Sequence, residues 1–242
     1  MQHMQSVGDS RFPQIQPMGE GGLLIVLADS VSLETTKKIL AIDSLLHQCD
    51  QFTTLETVPA LRSILVKTDP LLNNVGELEA LCHKLLKKIC QQAELNLDSR
   101  RFSIPVIYGE EWGPDLGDFC QYSGMSKEAA ISLHTSVELI VLCLGFSPGL
   151  TYLAELPEEF NLPRKEMYCA GVPAGSVLIA NRQTVFTASQ IPTGWHRIGT
   201  SPVIGFCPEK HHPFLFRPGD RIRFFAIDPS EESQIDVNTF WL

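Results

Sequence analysis

The stretch GVPAGSVLIANRQTVFTAS, Gly171 to Ser189, holds two short apolar runs, Ser176–Ala180 and Thr184–Phe186, parted by Asn181 and Arg182 and preceded by a glycine-proline turn. Short strands punctuated by turn residues are the pattern of a β-sandwich or barrel. The same texture recurs on both sides. LIVLCLGF begins at Leu139, SPVIGFC at Ser201 and FLFRPGDRIRFFAI at Phe214. Beyond Glu138 the chain therefore reads as a β-barrel-like domain.

Upstream the periodicity changes. GGLLIVLA, from Gly21, suits a buried strand, and its glycines precede the run, whereas a dinucleotide-binding fingerprint places them after it. Ser32 is placed to cap a helix carrying Ile39, Ile42, Leu45, Leu46 and Cys49 near one face. FTTLETV and RSILVKT follow as two strands, closed by Asp69-Pro70. From Val75 to Gln91, Leu78, Leu81, Cys82, Leu85, Leu86 and Ile89 recur at helical spacing, with lysines 84, 87 and 88 on the solvated face. FSIPVIY adds another strand, so the order strand–helix–strand–strand–helix–strand predicts a ferredoxin-like βαββαβ domain. The segment from Gly109 reads as a polar loop with two short helices, the second capped by Ser126. The expectation is an α+β chain: a mobile tail over 1–17, a ferredoxin-like domain over 18–108, a barrel over 109–229 and an acidic tail over 230–242 whose apolar end docks.

Composition narrows the partners. The 242 residues carry a net charge of -9, which argues against a nucleic-acid groove or an anionic membrane surface. No apolar run is long enough to span a membrane, and the N-terminus lacks the basic and apolar regions of a signal peptide. Seven cysteines, an odd number without C-x-x-C spacing, fit buried thiols in a reducing cytoplasm. His211-His212 is the only histidine pair, and adjacent histidines cannot both face one metal, so no metal site is expected. There is no P-loop pattern.

Several stretches could carry chemistry. Gly145-Phe146-Ser147-Pro148-Gly149 has the lettering of a nucleophile elbow, but an elbow draws an oxyanion-hole N–H from the residue after the serine, and Pro148 has none. Pro173, Ala174, Gly175 and Ser176 form a small-residue turn: either a plain strand connection or a place where backbone N–H groups approach an anion. Trp195 either walls a pocket or fills a core, and His196 is either an acid/base or an ordinary exposed histidine. His134 ends an apolar helix face, where the dipole favours an imidazolium. Arg164 is a candidate carboxylate fork.

In order along the chain, IPVIYGEEWGPDL, LHT, GFSPGLTYLAEL, PR, VPAGSVLIA, TGWHRIGTSP and RPGDRIRFFAI resemble the family that comprises the B-type subunit of 5-oxoprolinase, allophanate hydrolase subunit 1 and the kinase inhibitor KipI. The resemblance implies a ferredoxin-like domain followed by a cyclophilin-like barrel, the carboxyltransferase-type fold. It implies a subunit that works with a larger homologous subunit, and in the bacterial 5-oxoprolinase a third, to open the lactam of 5-oxoproline with ATP held by the complex rather than by this chain alone. An alternative it allows is a non-catalytic regulator that binds a sensor histidine kinase, or an allophanate hydrolase subunit. Carried over by motif, His134, Arg164 and Ser176 are the candidate catalytic residues. Phe146, Pro148, Gly149, Pro173, Ala174, Gly175, Trp195 and His196 are the candidate substrate-binding residues. Two family arginines are replaced, by Cys169 and Thr200, which puts anion binding in doubt, with Arg182 and Arg197 as the nearest substitutes.

Overall fold

The computed structural model describes residues 12–53, 55–92 and 99–241. They form two compact units that divide at Asp98/Ser99. The first unit contains β1 (Gln14–Met18), β2 (Gly22–Val26), α1 (Leu33–His47), β3 (Glu56–Pro59), β4 (Ser63–Lys67) and α2 (Val75–Cys90). Its antiparallel sheet runs β1-β2-β4-β3. Alternate residues Leu23 and Ile25 of β2, and Ile64 and Val66 of β4, join Ile39, Ile42 and Leu46 of α1 and Leu78, Cys82, Leu86 and Ile89 of α2 in one core. Ser32 caps α1 as expected, its Oγ accepting from the Thr35 N–H at 3.0 Å.

Two expectations for this unit change. Of the predicted tail, residues 1–11 lie outside the described part of the chain, but Gln14–Met18 is a strand, paired through a turn with Gly19 at φ +69°. The strand read from FSIPVIY belongs instead to the second unit, so the first has the order ββαββα rather than βαββαβ, and its boundary falls ten residues before 108. The reason is burial: Ile104 to Ile107 are buried without alternation, as befits a strand with neighbours on both edges and both faces covered.

That strand is β5 (Arg101–Tyr108). It is followed by α3 (Leu116–Ser123), α4 (Lys127–Ser136), β6 (Leu139–Leu144), β7 (Thr151–Ala154), β8 (Cys169–Val172), β9 (Ser176–Ala180), β10 (Gln183–Phe186), β11 (Ile191–Thr193), β12 (His196–Thr200) and β13 (Arg221–Ala226). Seven strands close a barrel in the order β10-β7-β6-β13-β5-β12-β9, with β5 and β13 parallel, consistent with a cyclophilin-like barrel. SPVIGFC forms no strand; there Phe206 makes one isolated bridge to Phe214. The acidic tail is folded: Pro229–Gln234 and Val237–Phe240 are 3-10 turns, and Val237, Phe240 and Trp241 pack against the barrel core.

The opening stretch explains where a site can form. All five residues of β9 are buried, because Val177 and Ile179 point into the barrel while Leu178 and Ala180 point outward. Outside, Leu178 and Ala180 meet Leu150, Val172, Val185, Ile191 and Trp195 in a second apolar cluster. The two-stranded ribbon β8–β11 contributes Val172 and Ile191 to it. No helix among the described residues is long and apolar enough to cross a membrane.

Candidate functional site

The outer cluster leaves a cavity of about 150 Å³. Leu150, Tyr152, Leu178, Val185, Ile191 and Trp195 line it, and Phe146 and Tyr168 stand exposed at its edge. Among the described residues Arg164 is the one charged residue in the lining. Its guanidinium carbon lies 5.3 Å from the centre of the Trp195 ring, and Tyr152 meets the same indole edge-on at 6.3 Å. Burial, and after it the neighbouring Cys143, pushes the Tyr152 phenol above its ordinary pKa, while the Arg164 charge pulls the other way.

Arg164 is placed by its neighbours. The Lys165 N–H donates to the Gly194 carbonyl at 2.7 Å, and its ammonium pairs with Asp115 Oδ2 at 2.5 Å. Asp115 Oδ2 also accepts from the Arg197 N–H at 2.6 Å. On the other side His196 Nε2 lies 2.9 Å from the Pro163 carbonyl. A carbonyl can only accept, so Nε2 carries the proton it donates; Nδ1 is buried and without a partner among the described residues. His196 is thus a positioning residue, and with Pro163 and Lys165 both fastened the side chain between them is held over Trp195.

Other candidates lie elsewhere. Ser176 is buried and donates through Oγ to the Pro173 carbonyl at 2.7 Å. Its own N–H donates to Thr187 Oγ1 at 2.8 Å, and the Gly175 N–H donates to the Thr187 carbonyl at 2.8 Å. The two N–H groups expected to face an anion are spent inside the turn. Gly175 has φ +76°, and a Cβ there would sit 2.2 Å from the Ser201 carbonyl oxygen, so the glycine is a packing requirement. Pro173 and Ala174 belong to this turn and do not line the cavity.

His134 is fully buried on α4, stacked on Phe224 with ring centres 5.2 Å apart, with Nδ1 at 2.8 Å from the Tyr108 hydroxyl and Nε2 at 3.4 Å from Thr184 Oγ1. Burial drives its pKa down to about 3, so the imidazole is neutral rather than the cation expected at a helix end. The GFSPG turn joins two strands, β6 and β7, with no helix leaving it. Phe146 adopts φ +71° and Gly149 φ +74°, where a Cβ would fall 2.5 Å from Phe206 Cβ. Phe146 reaches the cavity; Pro148 and Gly149 shape the turn behind it.

A family model for the carboxyltransferase domain, subdomains C and D, matches residues 13–216. The chain belongs to the carboxyltransferase C/D family. It is 36% identical over 208 residues to the B-type subunit of 5-oxoprolinase from Escherichia coli O157:H7, covering 86% of this chain and 93% of that one. With the protein of the same name from Bacillus subtilis it is 29% identical over 226 residues, 90% and 94% of the two chains. Among solved structures, TTHA0988 superposes with a TM-score of 0.74 at 32% identity over 89% of this chain. The chain spans 40% of TTHA0988, which is the longer molecule.

Within this carboxyltransferase-type barrel the arginine replacements are accommodated locally. Thr200 Oγ1 donates to the Trp112 carbonyl at 2.6 Å, and Cys169 is exposed. Arg182 and Arg197 do not stand in for them. Arg182 pairs with Glu155 and Glu158, Arg197 donates to the Glu111 carbonyl, and neither lines the cavity. Tyr152, Lys165 and Asp115 were not among the sequence candidates. Tyr152 had a signal in GFSPGLTYLAEL and Asp115 in IPVIYGEEWGPDL; Lys165 had none.

Proposed function

We propose that this chain is a subunit of an ATP-dependent 5-oxoprolinase-type complex, working with a larger homologous subunit in the cytoplasm, where its seven unpaired cysteines are stable. The observation that carries the reading is its 36% and 29% identity, over most of its length, to proteins named as the B-type subunit of 5-oxoprolinase. Chemistry at the cavity agrees with it. 5-Oxoproline is a small ring bearing one carboxylate. A guanidinium fixed beside an indole offers that carboxylate a fork and the ring an apolar wall.

In the reaction water adds its oxygen to the lactam carbonyl carbon, and the ring nitrogen leaves as the amine of glutamate. An amide is a poor electrophile, so transfer of the γ-phosphoryl group of ATP to its oxygen, with ADP leaving, makes the attack feasible; departure of the ring nitrogen then leaves an acyl phosphate, which a second water hydrolyses to glutamate and inorganic phosphate. Among the described residues the cavity lining supplies binding groups and neither carboxylate nor imidazole: burial raises the Tyr152 phenol, and Thr193 Oγ1 accepts the Trp195 backbone N–H at 3.0 Å. The Gly175 and Ser176 N–H groups are both spent on Thr187. Chemistry is therefore completed in the complex, with Arg164 as the substrate-orienting contribution of this chain. Mixing the chain with its larger partner and the third subunit should give ATP-dependent glutamate release from 5-oxoproline. No turnover with all subunits present would overturn the proposal.

A further inference from the structure

A larger cavity, about 750 Å³, opens elsewhere on the barrel unit, in the size range of sites for small organic ligands. Three separate segments build it: Arg100 to Phe102 at the start of β5, residues 210–217, and Phe240–Trp241 from the folded tail. Arg217, Phe240 and Trp241 lie beyond the part of the chain that the family model matches. On a chain with a net charge of -9 this lining is basic and, among the described residues, contains no side-chain carboxylate.

The charge is not cancelled from behind. Asp220 serves both Arg100 and Arg217, and Glu138 serves both Arg101 and Arg221, so two carboxylates are shared among four guanidiniums. Lys210 has no carboxylate partner among the described residues; its ammonium lies 5.8 Å from the centre of the Trp241 ring. Among the described residues, cations outnumber carboxylates around the groove. Asp220 is fully buried and holds Arg100 through Nε at 3.0 Å and one Nη at 2.5 Å, which orients that guanidinium and leaves its other Nη without a partner among the described residues. The His211 and His212 rings are exposed on the same rim. Aromatic faces adjoin the cations: Arg100 stands 5.1 Å over Phe102, and Phe214 is 47% exposed.

We infer that this groove binds a nucleoside polyphosphate, its phosphates held by Lys210, Arg217 and the free edge of Arg100 and its base laid on Trp241. Inorganic phosphate would use the cations and leave the π-faces idle. A nucleotide uses both, since guanidinium and ammonium groups complement phosphate oxygens and every base has a face that stacks on an indole. An acidic peptide is the competing occupant; its carboxylates would use the cations and leave the π-faces beside them idle. Choosing ATP as the probe rests on the 5-oxoprolinase-type reading; the groove does not.

The test is calorimetric titration of the full chain alone at physiological salt with ATP, tripolyphosphate and adenosine. ATP should bind saturably at one site, tripolyphosphate several-fold more weakly and adenosine weakest, about the pattern of joint charge and stacking recognition. Lys210→Glu combined with Arg217→Gln should weaken ATP by about ten-fold or more, and Trp241→Leu by several-fold. Lys84→Glu, on α2, should change nothing, and circular dichroism of each variant checks that it is folded. Three results would overturn the inference: no saturable ATP binding by the folded parent chain, unchanged binding in the Lys210/Arg217 variant, or tripolyphosphate binding as tight as ATP with Trp241→Leu without effect. An acidic peptide that binds while ATP does not would also refute it. Because binding is read without the partner subunits, loss of lactam turnover with ATP binding intact sinks the functional proposal alone, and the reverse result sinks only this one.

Discussion

The Arg164 guanidinium lies 5.3 Å above the Trp195 ring because the residues on either side of it, Pro163 and Lys165, are fastened to His196 and Gly194. The side chain is exposed while its backbone is fixed, so removing it should affect ligand binding more than folding. In the assembled complex Arg164→Ala should raise KM for 5-oxoproline by about ten- to a hundred-fold, the range of a hydrogen bond to a charged group. Arg164→Lys should recover only part of this, since an ammonium restores the charge without the planar fork. Steady-state kinetics with both variants decides, and an unchanged KM would remove Arg164 from the site.

The two serines that attract attention in the sequence should separate into one that does nothing and one that holds a turn. Ser147 Oγ is buried with no partner among the described residues, so Ser147→Ala should leave activity and stability nearly unchanged. Ser176→Ala removes the bond to the Pro173 carbonyl, but Thr187 Oγ1 still donates to that oxygen at 2.9 Å. Its expected effect is about 1 kcal/mol lost from unfolding in urea, with kcat and KM unaltered. A large loss of kcat in Ser147→Ala would bring the nucleophile back.

Much of the fold was legible because burial was periodic. The helices α1 and α2 follow apolar spacing, and β2, β4, β6, β9, β10 and β13 all fall within runs read as strands. The site was legible only where one motif held it. Phe146, Arg164 and Trp195 come from turns whose lettering could be recognised, and the cavity brings the three together. Ser176 and His134 misled because a hydroxyl or imidazole looks the same in sequence whether it faces a ligand or closes a buried network. β5 was given to the wrong unit for a related reason: a single strand's pattern does not say which sheet receives it. The basic groove was invisible because its cations come from positions 100–101 and 210–217 and its indole from position 241, joined only by closure of the barrel.

Thiol reactivity should follow the burial of each cysteine. Cys90 and Cys169 are exposed, whereas burial pushes Cys82 and Cys143 up to about 11, leaving almost no thiolate near neutrality. Brief maleimide treatment followed by peptide mass mapping should find Cys90 and Cys169 modified first, and Cys82 and Cys143 only after denaturation. Rapid labelling of Cys143 in the folded chain would mean that the wall behind Tyr152 opens.

His134 should make the barrel sensitive to mild acid. Its pKa is lowered from 6.5 to about 3 by burial, so between those values the unfolded chain binds a proton that the folded chain refuses. More protons on the unfolded state means that stability rises with pH; it is lost progressively as pH falls from 6.5 towards 3, and above 6.5 His134 has no effect. Glu138, which Arg221 and Arg101 hold below the usual carboxylate range against its own desolvation, adds a loss that begins only at lower pH. From about pH 7 to about pH 5 the histidine should therefore dominate the slope of unfolding free energy. His134→Gln keeps a neutral hydrogen-bonding group beside the Tyr108 hydroxyl and cannot take up the proton. Urea unfolding across that range should give a rising curve for the parent chain and a flatter one for the variant, whatever the variant's absolute stability. Equal slopes would mean that the His134 ring is reached by water in the folded barrel and titrates there as an ordinary imidazole.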